Sequence, residues 1–131
     1  MSNIIRTLAI FTTLLLTLQA ELPPYVYENY QKNAPEALTI SIKKVKTSLI
    51  SFSKKSVTVT AKVLRVQRTK SKVKRGDTIT IIYNSTFWKP NGWVGPSSLP
   101  VLKEDQTYRA FLRKGEENNY YYPDARGKSF K

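Results

Sequence analysis

Apolar and polar residues alternate along four stretches of the chain, at residues 38–43, 57–63, 79–83 and 108–113. A period of two is typical of a strand that buries one face and exposes the other to water. A short fifth strand is predicted at residues 120–122, where the middle tyrosine faces opposite to its two neighbours. A helix over residues 35–46 competes with the first strand, but the Thr, Ile and Val content favours the strand.

The second alternation changes phase after Val63, and from there Leu64 and Val66 are the apolar positions. A slip of one residue inside a long strand indicates a β-bulge, the irregularity that lets strands bend far enough to close a small barrel. If Val63 points inward, Lys62 and then Arg65 lie on the outer side. Five short strands, one of them bulged, therefore predict a small all-β barrel.

Serine and lysine dominate residues 47–56, which are predicted as a loop or a hairpin tip. Its apolar side chains, Leu49, Ile50 and Phe52, are expected to fold back onto the domain. Further turns are predicted at residues 76–77 and 104–105, where Gly-Asp and Glu-Asp separate the alternating stretches.

The first twenty residues have the pattern of an export signal. Residues 1–20 combine one positive charge, Arg6, with an apolar run over residues 8–18 and a small residue, Ala20. The run is shorter than the roughly 20 residues that cross a bilayer, so it predicts a cleaved signal peptide and no stable membrane span afterwards. Because Leu18 stands where a small residue is preferred, a membrane-tethered N-terminus or a first helix of the domain is the alternative. The expected location is secreted, periplasmic or extracellular.

The remaining chain is predicted as one domain with a short arm. Residues 21–36 contain three prolines and three tyrosines without a clear period, which predicts an irregular arm with one helical turn around residues 27–31. Residues 37–131 form the barrel. The size suits a single domain, which we expect to be a monomer.

The residue types that are absent restrict the chemistry. The chain has no cysteine and no histidine, so it has no disulfide, no Ser-His-Asp or Cys-His arrangement, and no nitrogen or sulfur side-chain ligands for zinc. The paired carboxylates at residues 104–105 and 116–117 lie at predicted turns, and nothing arranges either pair across a cleft. We therefore expect a protein that is not an enzyme and that needs no cofactor or metal.

Positive charge is concentrated in the middle of the chain. The formal net charge is +13, and no acidic residue occurs between Glu36 and Asp77. That interval holds twelve basic residues: Lys43, Lys44, Lys46, Lys54, Lys55, Lys62, Arg65, Arg68, Lys70, Lys72, Lys74 and Arg75. A basic region of this kind attracts anionic surfaces or ligands, although a solvated surface that keeps an edge strand soluble explains it equally well.

Two candidate interaction sites follow from these patterns. The first is a polyanion-binding surface formed by the cations along and after the bulged strand: Lys62, Arg65, Arg68, Lys70, Lys72, Lys74 and Arg75. The second is a loop over residues 88–100, in which Trp88 and Trp93 flank a Pro-Asn-Gly turn. Exposed tryptophans anchor protein interfaces, whereas buried ones close the end of a small barrel.

Parts of the chain resemble netrin-like (NTR) modules. Residues 57–66 (VTVTAKVLRV) and 75–81 (RGDTITI) resemble the paired strands of that family, and Gly95-Pro96 followed by residues 102–112 (LKEDQTYRAFL) resembles a later strand. The closest likeness is to small exported bacterial proteins. The resemblance covers about residues 38–130 and implies a five-stranded OB-like (oligonucleotide/oligosaccharide-binding) Greek-key barrel.

Netrin-like modules include the inhibitory domain of the tissue inhibitors of metalloproteinases, which chelate the protease zinc through an N-terminal cysteine. This chain has no cysteine, so no functional residue of that family transfers to it. The sequence predicts a binding module whose partner is an anionic polymer, a membrane headgroup or an extracellular protein, with nucleic acid less favoured. The alternative is a protein-interaction or protease-inhibitor-like module that uses the loop at residues 88–100.

Overall fold

Five strands close into a barrel in this computed structural model, which describes residues 23–86, 99–116 and 119–131. The strands are β1 (Glu36–Leu49), β2 (Lys54–Arg68), β3 (Thr78–Thr86), β4 (Thr107–Lys114) and β5 (Tyr120–Pro123). Around the barrel their order is β1-β2-β3-β5-β4, and the only parallel pair among them is β3 with β5. The predicted all-β, OB-like Greek-key barrel is confirmed.

The alternation in the sequence corresponds to the inside and the outside of the barrel. Tyr121 is buried while Tyr120 is exposed, which confirms the predicted orientation of the last strand. The core consists of the inward positions of all five strands together with two loop residues: Leu38, Ile40, Ile42, Val57, Val59, Ala61, Val63, Val73, Ile79, Ile81, Tyr83, Leu102, Ala110, Leu112 and Tyr121.

The predicted bulge is present in β2. Val63 and Arg65 pair with consecutive residues of β1, so Leu64 is the extra residue. The slip returns Val66 to the inner side, where it packs against the core. The prediction that Leu64 also faces inward is wrong: its side chain is 38 % exposed, because the inserted residue of a bulge is pushed out of the ladder.

A ten-residue helix, α1 (Pro24–Asn33), occupies the segment that was expected to be an irregular arm. Pro24 at the first helical turn is compatible with a helix, since the N–H group it lacks has no intrahelical partner there. Tyr30 packs against a small cluster that includes Phe111 and Ala125. The prediction failed because these contacts come from the other end of the sequence.

Residues 1–20 lie outside the described part, and no helix within that part is long and apolar enough to cross a membrane.

The β1–β2 hairpin is longer than predicted, and its tip is exposed. Pairing continues to Leu49 opposite Lys55, so the connection is only residues 50–53. The expectation that the apolar residues fold back is wrong: Leu49 is 66 %, Ile50 54 % and Phe52 76 % exposed. Continued backbone pairing holds the tip away from the barrel, beyond the last buried side chain of β2 at Val57.

Tyr83 connects the barrel wall to the segment that precedes β4. Its hydroxyl donates to the carbonyl of Pro100 at 2.7 Å and accepts from the N–H of Leu102 at 3.2 Å. Its ring lies 5.5 Å from the ring of Phe130, centroid to centroid. Burial raises the pKa of Tyr83 to about 12, because the phenolate would lose its hydration.

We expect the barrel to lose stability between pH 10 and 12 in a way that depends on Tyr83. An unfolded tyrosine ionises near its ordinary pKa of 10.0, and the folded Tyr83 near 12. The contribution of Tyr83 to the free energy of unfolding is therefore complete below pH 10 and is lost as the pH rises through 12. Tyr83→Phe should be less stable at neutral pH, because it lacks the hydrogen bond to Pro100, yet its stability should fall less steeply above pH 10. Urea unfolding across this range measures both effects, and equal slopes for the two proteins would contradict the assignment.

Candidate binding surface

Five cations project from the outer side of the sheet formed by β1, β2 and β4. Side chains alternate along each strand, so residues that flank buried core positions point outward. We call this set the basic face: Lys44 and Lys46 of β1, Lys62 and Arg65 of β2, and Arg109 of β4. All five side chains are exposed.

The two arginines of the basic face lie on either side of one β1 residue. Thr39 pairs with Arg65 across one edge of β1 and with Arg109 across the other. Neighbouring strands are about 4.8 Å apart, so the two arginine backbones are separated by about 10 Å. The hydroxyl of Thr39 accepts a hydrogen bond of 2.7 Å from the amide of Gln67. Two arginines with this backbone separation can contact successive charges of a linear anion.

Small hydroxyl side chains cover the surface between the cations. They occupy outward positions of β1, β2 and β3, and they pair with one another or with the cations across the strands. Because Ser and Thr side chains are short, an extended ligand can approach the sheet closely and find hydroxyl donors there. The residues are Thr39, Ser41, Thr58, Thr60, Thr78 and Thr80.

Carboxylates lie near the basic face without forming ion pairs with it among the described residues, such as Glu28, which lines a cleft together with Arg109. Within the described residues, none of its five cations forms an ion pair with a carboxylate; an ion pair seen elsewhere joins Arg113 to Asp124 at 3.9 Å. Glu104, at the open edge of β1, accepts a hydrogen bond of 3.1 Å from the N–H of Val45. The described chain also places no group of three Asp, Glu, His or Cys side chains to hold a metal ion.

Arg68 has a structural task that the sequence did not indicate. Its guanidinium group donates to the carbonyls of Ala34 and Gln31, each at 2.7 Å. These carbonyls lie at the C-terminal end of α1, where backbone acceptors lack intrahelical partners and a positive charge is favourable. Arg68 therefore holds α1 against the barrel, where it lines the same cleft as Arg109 of the basic face.

The other four predicted cations lie in what we call the base loop, residues 69–77, at the opposite end of β2 from the hairpin tip. Buried Glu36 anchors this loop, because one of its carboxylate oxygens accepts from the N–H groups of Lys70 at 3.2 Å and Ser71 at 2.7 Å. The predicted set of seven thus divides among the basic face, the end of α1 and the base loop. The four side chains in the loop are all exposed: Lys70, Lys72, Lys74 and Arg75.

Three members of the basic face were missing from the predicted site. Lys44, Lys46 and Arg109 belong to β1 and β4, and only the strand register brings them beside Lys62 and Arg65. Arg109 also borders a cleft of about 250 Å³ between α1 and the sheet. The alternation in β4 did indicate that Arg109 faces outward, but not which strand it adjoins.

The predicted tryptophan site lies almost entirely outside the described residues. Trp88 and Trp93 are not described, and only the last two residues of that loop are. The carbonyl of Leu99 accepts from the hydroxyl of Ser85 at 2.6 Å, and the carbonyl of Pro100 accepts from Tyr83. The interaction role of this loop stays a prediction.

No protein-family model matches the chain, and no curated protein matches it. The resemblance to netrin-like modules therefore stays a prediction, and the functional argument depends on the geometry of the surface.

We expect Arg68→Met to destabilise the protein by about 1–2 kcal/mol, because two helix-end carbonyls lose a charged donor. Arg65→Met is the matched control: the same side-chain change on the open sheet should alter the free energy of unfolding by less than about 0.5 kcal/mol. Urea denaturation of the two variants measures the difference. Equal destabilisation of both would refute the structural role of Arg68.

Proposed function

We propose that this chain is an exported binding module that acts without catalysis and contacts an anionic partner of the extracellular space or the cell envelope through the basic face. The observation that carries the proposal is the set of five outward cations, none of them paired with a carboxylate of the described residues. The pattern of residues 1–20 supports export.

The position of the basic face supports binding to an extended ligand. OB barrels bind polymers on the outer face of strands 2 and 3 and with the loop between strands 1 and 2, an analogy at the level of the fold. Here Lys62 and Arg65 lie on that face of β2, and Lys44 and Lys46 continue it on β1. Five separate charges on an open sheet suit a partner that also carries repeated charges.

The cations of the base loop provide a matched control for those of the basic face. The base loop carries as many cations as the basic face offers on β1 and β2, four in each, but these cations project from a loop that borders Val63 of β2 and not from the open sheet. Attraction that depends on net charge alone responds equally to the removal of cations at either place. Binding through a defined surface responds to their removal from the sheet only.

We therefore expect the double variant Lys62→Gln/Arg65→Gln to bind heparin about tenfold more weakly than the natural protein at low salt. The slope of log affinity against log salt concentration should fall by about 1 for each cation removed from the interface, since each cation that neutralises a charge of the polymer releases condensed counterions. Isothermal titration over a series of salt concentrations measures both quantities.

The control for this experiment is Lys72→Gln/Lys74→Gln, which removes two charges from the base loop and should leave both quantities nearly unchanged. Equal weakening by the two double variants would show that net charge governs the attraction. An affinity that does not respond to salt would contradict the proposal as a whole.

A further inference from the structure

The tip of the β1–β2 hairpin combines exposed apolar side chains in a way that small soluble domains usually avoid. We call Leu49, Ile50 and Phe52 the apolar tip; each has more than half of its surface exposed. They lie close together at the end of a paired ribbon, where the N–H groups of Ile50 and Ser51 donate to the carbonyl of Lys54 at 3.0 and 3.3 Å. The backbone of the tip is therefore held in place while its side chains face solvent.

Lysines surround the base of the apolar tip. Lys44 and Lys46 lie on the β1 side and Lys54 on the β2 side, and all three side chains are exposed. With a rise of about 3.3 Å per residue, they lie within about 17 Å of Leu49 along the ribbon. Lys44 and Lys46 also belong to the basic face, so the basic face extends along the ribbon towards the tip.

The combination of exposed apolar side chains with nearby lysines favours one class of anionic partner over the others. A sulfated glycan or a nucleic acid would satisfy the lysines but would leave Leu49 and Ile50 in water, because aliphatic side chains do not stack on sugars or bases. A lipid surface accommodates both groups: the apolar side chains enter the boundary between headgroups and acyl chains, and the lysines contact anionic headgroups. The tip is the end of a paired hairpin beyond the last core residue, which suits insertion into a surface rather than enclosure of a small ligand.

We infer that the hairpin tip inserts into the interface of an anionic membrane, with Lys44, Lys46 and Lys54 held at the level of the headgroups. This inference rests on the proposed function and identifies its partner as a lipid surface. Each lysine near such a surface strengthens binding by about fivefold, and the apolar side chains add a contribution that salt does not screen.

Vesicle binding tests the inference directly. The natural protein should co-sediment with vesicles of equimolar phosphatidylglycerol and phosphatidylcholine, and it should bind phosphatidylcholine vesicles far more weakly. The triple variant Leu49→Ser/Ile50→Ser/Phe52→Ser should bind the anionic vesicles about tenfold or more weakly, because insertion is abolished. Its affinity for heparin should be unchanged, which also shows that the variant is folded. Tyr25→Ser is the matched control, since Tyr25 is 64 % exposed on α1 but lies far from the tip.

The absence of natural cysteines allows a test of depth with a single fluorescent label. An environment-sensitive dye on Ser51→Cys should shift to the blue when anionic vesicles are added. The same dye on Asn33→Cys, at the end of α1 and before the start of β1, should not shift.

The possible results separate this inference from the proposed function. Binding to heparin without binding to anionic vesicles overturns the lipid assignment and leaves the basic face intact. Vesicle binding that the triple variant retains in full, with no shift of the Ser51 label, shows adsorption by charge alone and overturns insertion. Failure of the natural protein to bind either heparin or vesicles overturns the proposed function as well.

Discussion

The pairing of β1 with β2 determines the strand register and much of the core of the barrel. These two strands supply the largest continuous block of inward apolar side chains, and they set the register for β3 on one side and β4 on the other. The bulge at Leu64 belongs to the same pairing. It lets a strand of fifteen residues bend around the core while Val63 and Val66 both stay on the inner side.

Because the pairing of β1 with β2 is long, the hairpin tip and the base loop lie at opposite ends of β2. At one end the hairpin carries lysines and exposed apolar side chains beyond the last core residue. At the other end α1 and the base loop are fixed by specific hydrogen bonds, from Arg68 to the helix carbonyls and from backbone N–H groups to Glu36. Hydrogen bonds to charged side chains thus fix the second end, whereas the first end keeps large apolar side chains exposed.

Much of the fold was predictable because it depends on local alternation. Inward and outward positions of β2 and β4, the bulge and the orientation of Tyr121 follow from the period of two alone. The helix α1 was not predictable from its own residues, because Phe111 and Ala125 stabilise it from more than seventy residues away.

The candidate surface was predicted in part: Lys62 and Arg65 are close together on one strand, whereas Arg109 joins them only through the register of β1 with β4. The exposed tip was missed because apolar side chains are usually assigned to the core, and the sequence does not show where pairing ends.

The segment after β5 has a consequence for how the molecule is made. The N–H groups of Arg109 and Phe111 on β4 donate to the carbonyls of Lys131 and Ser129, and Phe130 packs against the core. Residues 129–131 thus continue the edge of β4 that β5 begins to cover at Leu112. A nascent chain that has produced β1 to β4 still has an open seam between β3 and β4, so the barrel can close only after β5 has been synthesised. Such late closure leaves the apolar side chains of the core accessible to water along one side until this strand has been made.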